Sequence, residues 1–87
     1  MLKNQTMEYV FPNFPRIVLS QEVCMGKPRI KGTRIPISSV LAYLAGGMSI
    51  DDFLKEFYWV EREDVLQILA FSANILNDRI IPLEKAA

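Results

Sequence analysis

Apolar residues change their spacing along this chain near Ser38. Ahead of it, Arg16-Ile17-Val18-Leu19 is a β-branched run that predicts a strand, and Glu8-Tyr9-Val10-Phe11 predicts a short edge strand. Between them, Pro12 and Pro15 exclude helix and hold the residues before them extended, so residues 1–15 read as an N-terminal arm. Ser20 to Gly26 reads as a connection. Lys27-Pro28-Arg29-Ile30-Lys31-Gly32-Thr33-Arg34-Ile35-Pro36 sets basic residues around Ile30, with Gly32 at a turn and prolines against helix, and predicts a basic loop or ribbon.

Beyond Ser38 the period becomes helical. Val40, Leu41, Leu44 and Ala45 share one face of a first helix, with Ser38 as the expected N-cap and Gly46-Gly47 as its end. Ser49-Ile50-Asp51-Asp52 has the form of a capping box and opens a second helix over about residues 50–57, with Ile50, Phe53, Leu54 and Phe57 inward. After a corner at Tyr58-Trp59-Val60, a third helix is expected from near Glu61 to about Asn77, with Pro82 beyond its end.

On a helical wheel, Val65, Ile68, Leu69, Ser72 and Leu76 centre the apolar face of the third helix, flanked by Leu66 and Ala73 on one side and by Phe71 and Ile75 on the other. The arc spans roughly 220°, against the 100° or so that a helix facing one core needs. The excess predicts a dimer or partner interface at Leu66, Phe71 and Ile75; the alternative is that the N-terminal arm and strand cover it. The fold class expected is mainly α, a three-helix helix-turn-helix bundle of homeodomain-like form with a short N-terminal β-strand or ribbon. Residues 16–81 form its single domain, after the 1–15 arm and before an 82–87 tail.

At 87 residues and 51% hydrophobic, the chain is too short for two domains and too apolar for disorder. It has one cysteine and no histidine, so no internal disulfide and no Cys/His zinc site are available, and a partner copy is the expected source of extra burial. No apolar run is long enough to span a membrane and the N-terminus lacks an apolar signal core, which predicts a cytoplasmic protein. Without histidine the commonest general base is missing, and Cys24 between Val23 and Met25 reads as a buried small hydrophobe rather than a nucleophile. No enzyme activity, metal or cofactor is expected. Trp59 reads as a core plug, with base stacking as the alternative.

The zero net charge hides a split. Arg16, Lys27, Arg29, Lys31 and Arg34 face only Glu22 in residues 16–34, whereas residues 35–87 hold eight acids and four bases. Such asymmetry predicts either that the basic end meets a polyanion or that the two ends meet each other. The first turn of the third helix, Glu61-Arg62-Glu63-Asp64, is acidic, leaving Arg62 and Gln67 as its candidate base readers. Lys27, Arg29, Lys31 and Arg34 are the candidate phosphate contacts, acting as an arm or wing.

Gly26-Lys27-Pro28-Arg29-Ile30-Lys31-Gly32-Thr33-Arg34-Ile35-Pro36-Ile37, then Gly46-Gly47-Met48-Ser49 and Glu63-Asp64-Val65, resemble the family called domain of unknown function 433 over about residues 15–76. The resemblance implies a compact helix-turn-helix domain with an N-terminal β element. It further implies a dimeric regulator akin to VapB-like antitoxins, which bind their own promoters and neutralise PIN-type ribonuclease toxins. Members commonly carry Tyr-Pro before the third helix and a threonine at its start, where this chain has Phe57-Tyr58 and Glu61. Within the signature, Gly32 would permit a turn, Thr33 would bond local backbone, and Arg34 would either pin the loop to an acid such as Asp64 or bind phosphate. The functional expectation is an antitoxin-like DNA-binding regulator that represses its own promoter; the alternative is a homodimeric protein-interaction module without DNA affinity.

Overall fold

The computed structural model describes residues 7–78. Its strands are β1 (Tyr9–Phe11), β2 (Phe14–Leu19) and β3 (Arg29–Ile30), and its helices are α1 (Ile37–Ala45), α2 (Ile50–Glu56) and α3 (Arg62–Asp78). The strands form one antiparallel sheet in the order β1-β2-β3, pairing Val10 with Val18 and Ile17 with Ile30. A bulge between Val10 and Phe11 precedes the turn at Pro12-Asn13 that returns the chain into β2.

The fold is therefore α+β, and the expectation of a mainly-α bundle is corrected. The short edge strand expected at residues 8–11 is β1, the strand expected at residues 16–19 lies in β2, the middle of a sheet, and the segment read as a basic loop or ribbon supplies β3. Ile17, Ile30, Ile37, Val40, Phe53, Val60, Val65, Ile68 and Phe71 form one core that joins the sheet to all three helices.

Local signals explain most helix boundaries. The Ser49 hydroxyl accepts from the Asp52 backbone N–H at 3.0 Å, capping α2. Gly47, at φ +104°, lets the chain turn between α1 and α2 in a conformation unfavourable for side-chain-bearing residues. Pro36, rather than Ser38, is the residue that precedes the first turn of α1; Ser38 lies within the helix.

The start of α3 joins a local cap to a long-range contact. Asp64 is buried, and one of its oxygens accepts from the Glu61 backbone N–H at 2.8 Å, capping the helix from within. The other oxygen accepts from Arg16 Nη1 of β2 at 3.0 Å, while Glu61 accepts from the same nitrogen at 2.8 Å. The backbone N–H of Arg16 also donates to Gln67 Oε1 at 2.8 Å. These bonds dock α3 on the central strand. They also raise the Arg16 pKa, chiefly through its hydrogen bonds to Glu61 and Asp64, so this cation keeps its charge at any physiological pH.

Replacing Asp64 with alanine strands the Glu61 N–H and half of the Arg16 contact, and is expected to lower stability by about 1–3 kcal/mol. Glu61→Gln alters only an exposed ion pair and should change it by less than about 1 kcal/mol. Urea denaturation monitored by circular dichroism separates the two; equal midpoints for both variants would contradict this account of the junction.

Candidate functional site

The signature segment folds as a tight β-turn unit whose hydrogen bonds close on themselves. Ile30 N–H donates to the Ile35 carbonyl at 3.0 Å, Thr33 N–H to the Ile30 carbonyl at 3.0 Å, and Ile37 N–H to the Pro28 carbonyl at 2.9 Å. The Thr33 hydroxyl donates to the Ile30 carbonyl at 2.8 Å and accepts from the Ile35 N–H at 3.0 Å. Gly32 supplies the left-handed residue of the turn, at φ +81°. Lys31 N–H donates to the Arg16 carbonyl at 2.8 Å, which ties the turn to β2.

This turn sorts the basic residues into two sets. Arg29 points inward: only 4% exposed, it pairs with Glu8 through Nη2 at 2.6 Å and donates Nε to the Thr33 carbonyl at 2.9 Å. It therefore braces the turn from below rather than presenting its charge to solvent. Lys27, Lys31 and Arg34 are exposed and, among the described residues, form no salt bridge. Arg34 does not reach Asp64, whose partner is Arg16. Of the two candidate base readers on α3, Arg62 pairs with Asp51 of α2, and Gln67 is engaged by the Arg16 N–H. Of the six candidate contact residues, the exposed and unpaired ones thus lie at residues 27–34, and the start of α3 is committed to holding the fold together.

The three α3 positions expected to form an interface also separate. Phe71 is buried within the chain, edge-on to Phe11 at 4.8 Å and to Phe14 at 5.3 Å between ring centroids. The N-terminal strands cover it. Leu66 and Ile75 are both exposed, but nine residues apart they project to opposite sides of the helix, about 180° apart. Leu66 instead shares an outward stripe with Leu69, Ala73 and Leu76, at successive spacings of three, four and three residues. The three leucines are 43, 39 and 71% exposed, and Ala70 and Ala73 between them are exposed too. This is the a/d spacing with which one helix packs along another.

Beside the turn lies an open hollow of about 550 Å³, lined by Val23, Arg29, Gly32, Thr33, Arg34, Ile35 and Trp59. Trp59 is 52% exposed, so it forms a wall and not the core plug expected. The preceding loop is unusual: Cys24 (φ +54°) and Met25 (φ +55°) are non-glycine residues in the left-handed region, a conformation that persists only when neighbours impose it. Here the Cys24 thiol, half-buried, donates to the Arg34 carbonyl at 3.2 Å and ties this loop to the turn. No pattern of spacing announced the Glu8–Arg29 and Arg16–Asp64 pairs, whose partners are 21 and 48 residues apart.

A match to the family described as protein of unknown function (DUF433) covers residues 17–72, more than half of the chain, and the chain belongs to that family. Neither curated proteins nor solved structures give a match. No helix among the described residues is long and apolar enough to cross a membrane.

The turn's dependence on Thr33 is open to direct measurement. Thr33→Val removes both hydroxyl bonds and leaves the Ile35 N–H without its acceptor, for an expected loss of about 1–3 kcal/mol. Thr33→Ser keeps the hydroxyl and should recover most of it. Similar urea midpoints for the two variants would show that the hydroxyl is not what holds the turn.

Proposed function

We propose that this DUF433-family chain is an antitoxin-like regulator that acts by contact: the outer stripe of α3 engages a protein partner or a second copy, and Lys27, Lys31 and Arg34 meet DNA phosphates. The observation that carries the reading is the stripe itself. Leu66, Leu69, Ala73 and Leu76 run along three turns of the longest helix without a charge among them, exposed where water gains nothing from them. Two small residues, Ala70 and Ala73, allow another helix to approach closely. The resemblance to VapB-like antitoxins makes a PIN-type ribonuclease the first protein partner to test.

The DNA component rests on a separate observation, the three solvent-facing cations of one rigid turn. A turn held by its own hydrogen bonds presents charges at fixed positions, which suits phosphate contact. The acidic and internally paired start of α3 disfavours insertion of that helix into a major groove, so DNA affinity would be largely independent of sequence and steeply salt-dependent. A protein-interaction module without DNA affinity is the competing reading, favoured by the same stripe.

Two measurements divide these readings. Leu69→Glu is expected to shift the solution mass from dimer to monomer, or to abolish co-purification with a co-expressed PIN-type ribonuclease, with an unchanged circular dichroism spectrum. A wild-type chain that is monomeric and captures no such partner would defeat the stripe's role. In fluorescence anisotropy with DNA from upstream of its own gene, Lys31→Ala should weaken binding and reduce the slope of log K against log salt by about 0.9. Absence of binding at low salt would leave the interaction module standing alone.

A further inference from the structure

From Val65 to Asn77 the longest helix carries no charged residue, and charges stand only at the two ends of that run, Glu63-Asp64 before it and Asp78 after it. The outward side of the run presents Leu66, Leu69, Ala70, Ala73 and Leu76, all exposed, with the amides of Asn74 and Asn77 beside them. Water therefore meets about three and a half turns of uncharged helix.

The order of side-chain sizes along this stripe selects an occupant. Leu66, Leu69, Ala73 and Leu76 read large, large, small, large. Run antiparallel about a two-fold axis level with Phe71, two copies set Leu66 against the partner's Leu76 and Leu69 against the partner's Ala73, so the one small residue receives a large one. Ala70 meets the partner's Ala70 beside the axis and lets the backbones approach. Run parallel, the stripe sets each residue against its own copy, which leaves a gap where alanine faces alanine. The parallel pair also brings Arg62, four residues before Leu66 on the same face, against the partner's Arg62. In the antiparallel pair those two cations stand about 27 Å apart along the axis, at 1.5 Å per residue. Size and charge thus both select the antiparallel copy.

We propose that α3 pairs antiparallel with α3 of a second copy of this chain, in the register that sets Leu66 against the partner's Leu76. The inference rests on the reading of the stripe as a contact surface and commits that surface to self-pairing. It also arranges the basic turns. The Lys31 N–H bond to the Arg16 carbonyl, with the Arg16 bonds to Asp64 and Gln67, ties each turn to the N-terminal half of its own α3. Antiparallel pairing therefore sets the exposed Lys27, Lys31 and Arg34 of the two copies toward opposite ends of the dimer.

Leu66 and Leu76 are exposed in the single chain, so cysteine at either position leaves the core intact, and Cys24→Ser removes the only native thiol while keeping a donor to the Arg34 carbonyl. Full-length Leu66→Cys and Leu76→Cys are made separately in that background, one of them 15N-labelled, mixed in equal amounts and oxidised in glutathione buffer. Mass spectrometry then counts the products. The mixed disulfide is expected to exceed either homodisulfide at least about fivefold, because a disulfide needs Cα atoms within about 7 Å and like positions lie about 15 Å apart along the axis in this register. Light scattering of the unaltered chain should give about twice its 10.0 kDa mass. A Leu66→Cys homodisulfide as the main product would mean a parallel pair, and a statistical mixture would mean no fixed register; either overturns the proposal. A monomeric wild type overturns it too. If that monomer captures a co-expressed PIN-type ribonuclease, and Leu69→Glu abolishes the capture, the stripe is a partner surface and self-pairing alone fails. A monomer that captures nothing ends both readings.

Discussion

Asp64 is the group on which the arrangement of this domain depends. A carboxylate shielded from water must find donors, and it finds them in two places at once: the backbone N–H at the start of its own helix and the guanidinium of the central strand. The first fixes where α3 begins, the second where it lies on the sheet. Gln67, one turn further on, repeats the connection by accepting from the Arg16 N–H. With those two points fixed, the rotation of α3 about its axis is no longer free. Val65, Ile68 and Phe71 must face the core, and Leu66, Leu69, Ala73 and Leu76 must face away. The apolar outer stripe is thus a consequence of a polar clamp at the other end of the helix.

That constraint explains which parts of the fold were legible in the sequence. Signals that act within a few residues were: the Ser49 cap, the glycine pair after α1, the helical spacing of Ile50, Phe53, Leu54 and Phe57, and the turn at Gly32-Thr33. Strand β2 was legible from its β-branched run. The sheet was not, because β3 is two residues long in a segment rich in lysine, arginine and proline, and its strand character comes from pairing with β2 rather than from its own composition. The wheel of α3 placed Leu69 and Leu76 at the centre of the buried face because it counts apolar residues only. Asp64 and Gln67 are polar, and hydrogen bonding from Arg16 turns the helix toward them.

The basic segment illustrates the same separation between pattern and role. Sequence spacing groups Lys27, Arg29, Lys31 and Arg34 as equivalent cations. The turn makes them unequal, since pairing across β2 and β3 sends the Arg29 side chain under the turn, where Glu8 from the β1 edge meets it. A buried, paired arginine contributes rigidity and leaves its exposed neighbours to contribute charge. Thr33 links the two roles: its carbonyl accepts from Arg29 and its hydroxyl closes the turn on which Lys31 and Arg34 are displayed.

An α+β architecture also changes what the helices are available to do. In a bare three-helix bundle, the first turn of the third helix is exposed and can be spent on a ligand. Here three of the four charged side chains of residues 61–64 are already engaged: Glu61 and Asp64 with Arg16, and Arg62 with Asp51. Contact with an anion through Arg62 would require breaking its pair with Asp51 of α2, beside two carboxylates already held by the sheet. The Lys27, Lys31 and Arg34 side chains carry no such obligation, because the turn is held by backbone, Thr33 and Arg29 contacts while these three point outward and form no salt bridge among the described residues. The edge of the sheet and the far side of α3 are the two surfaces that the clamp leaves free.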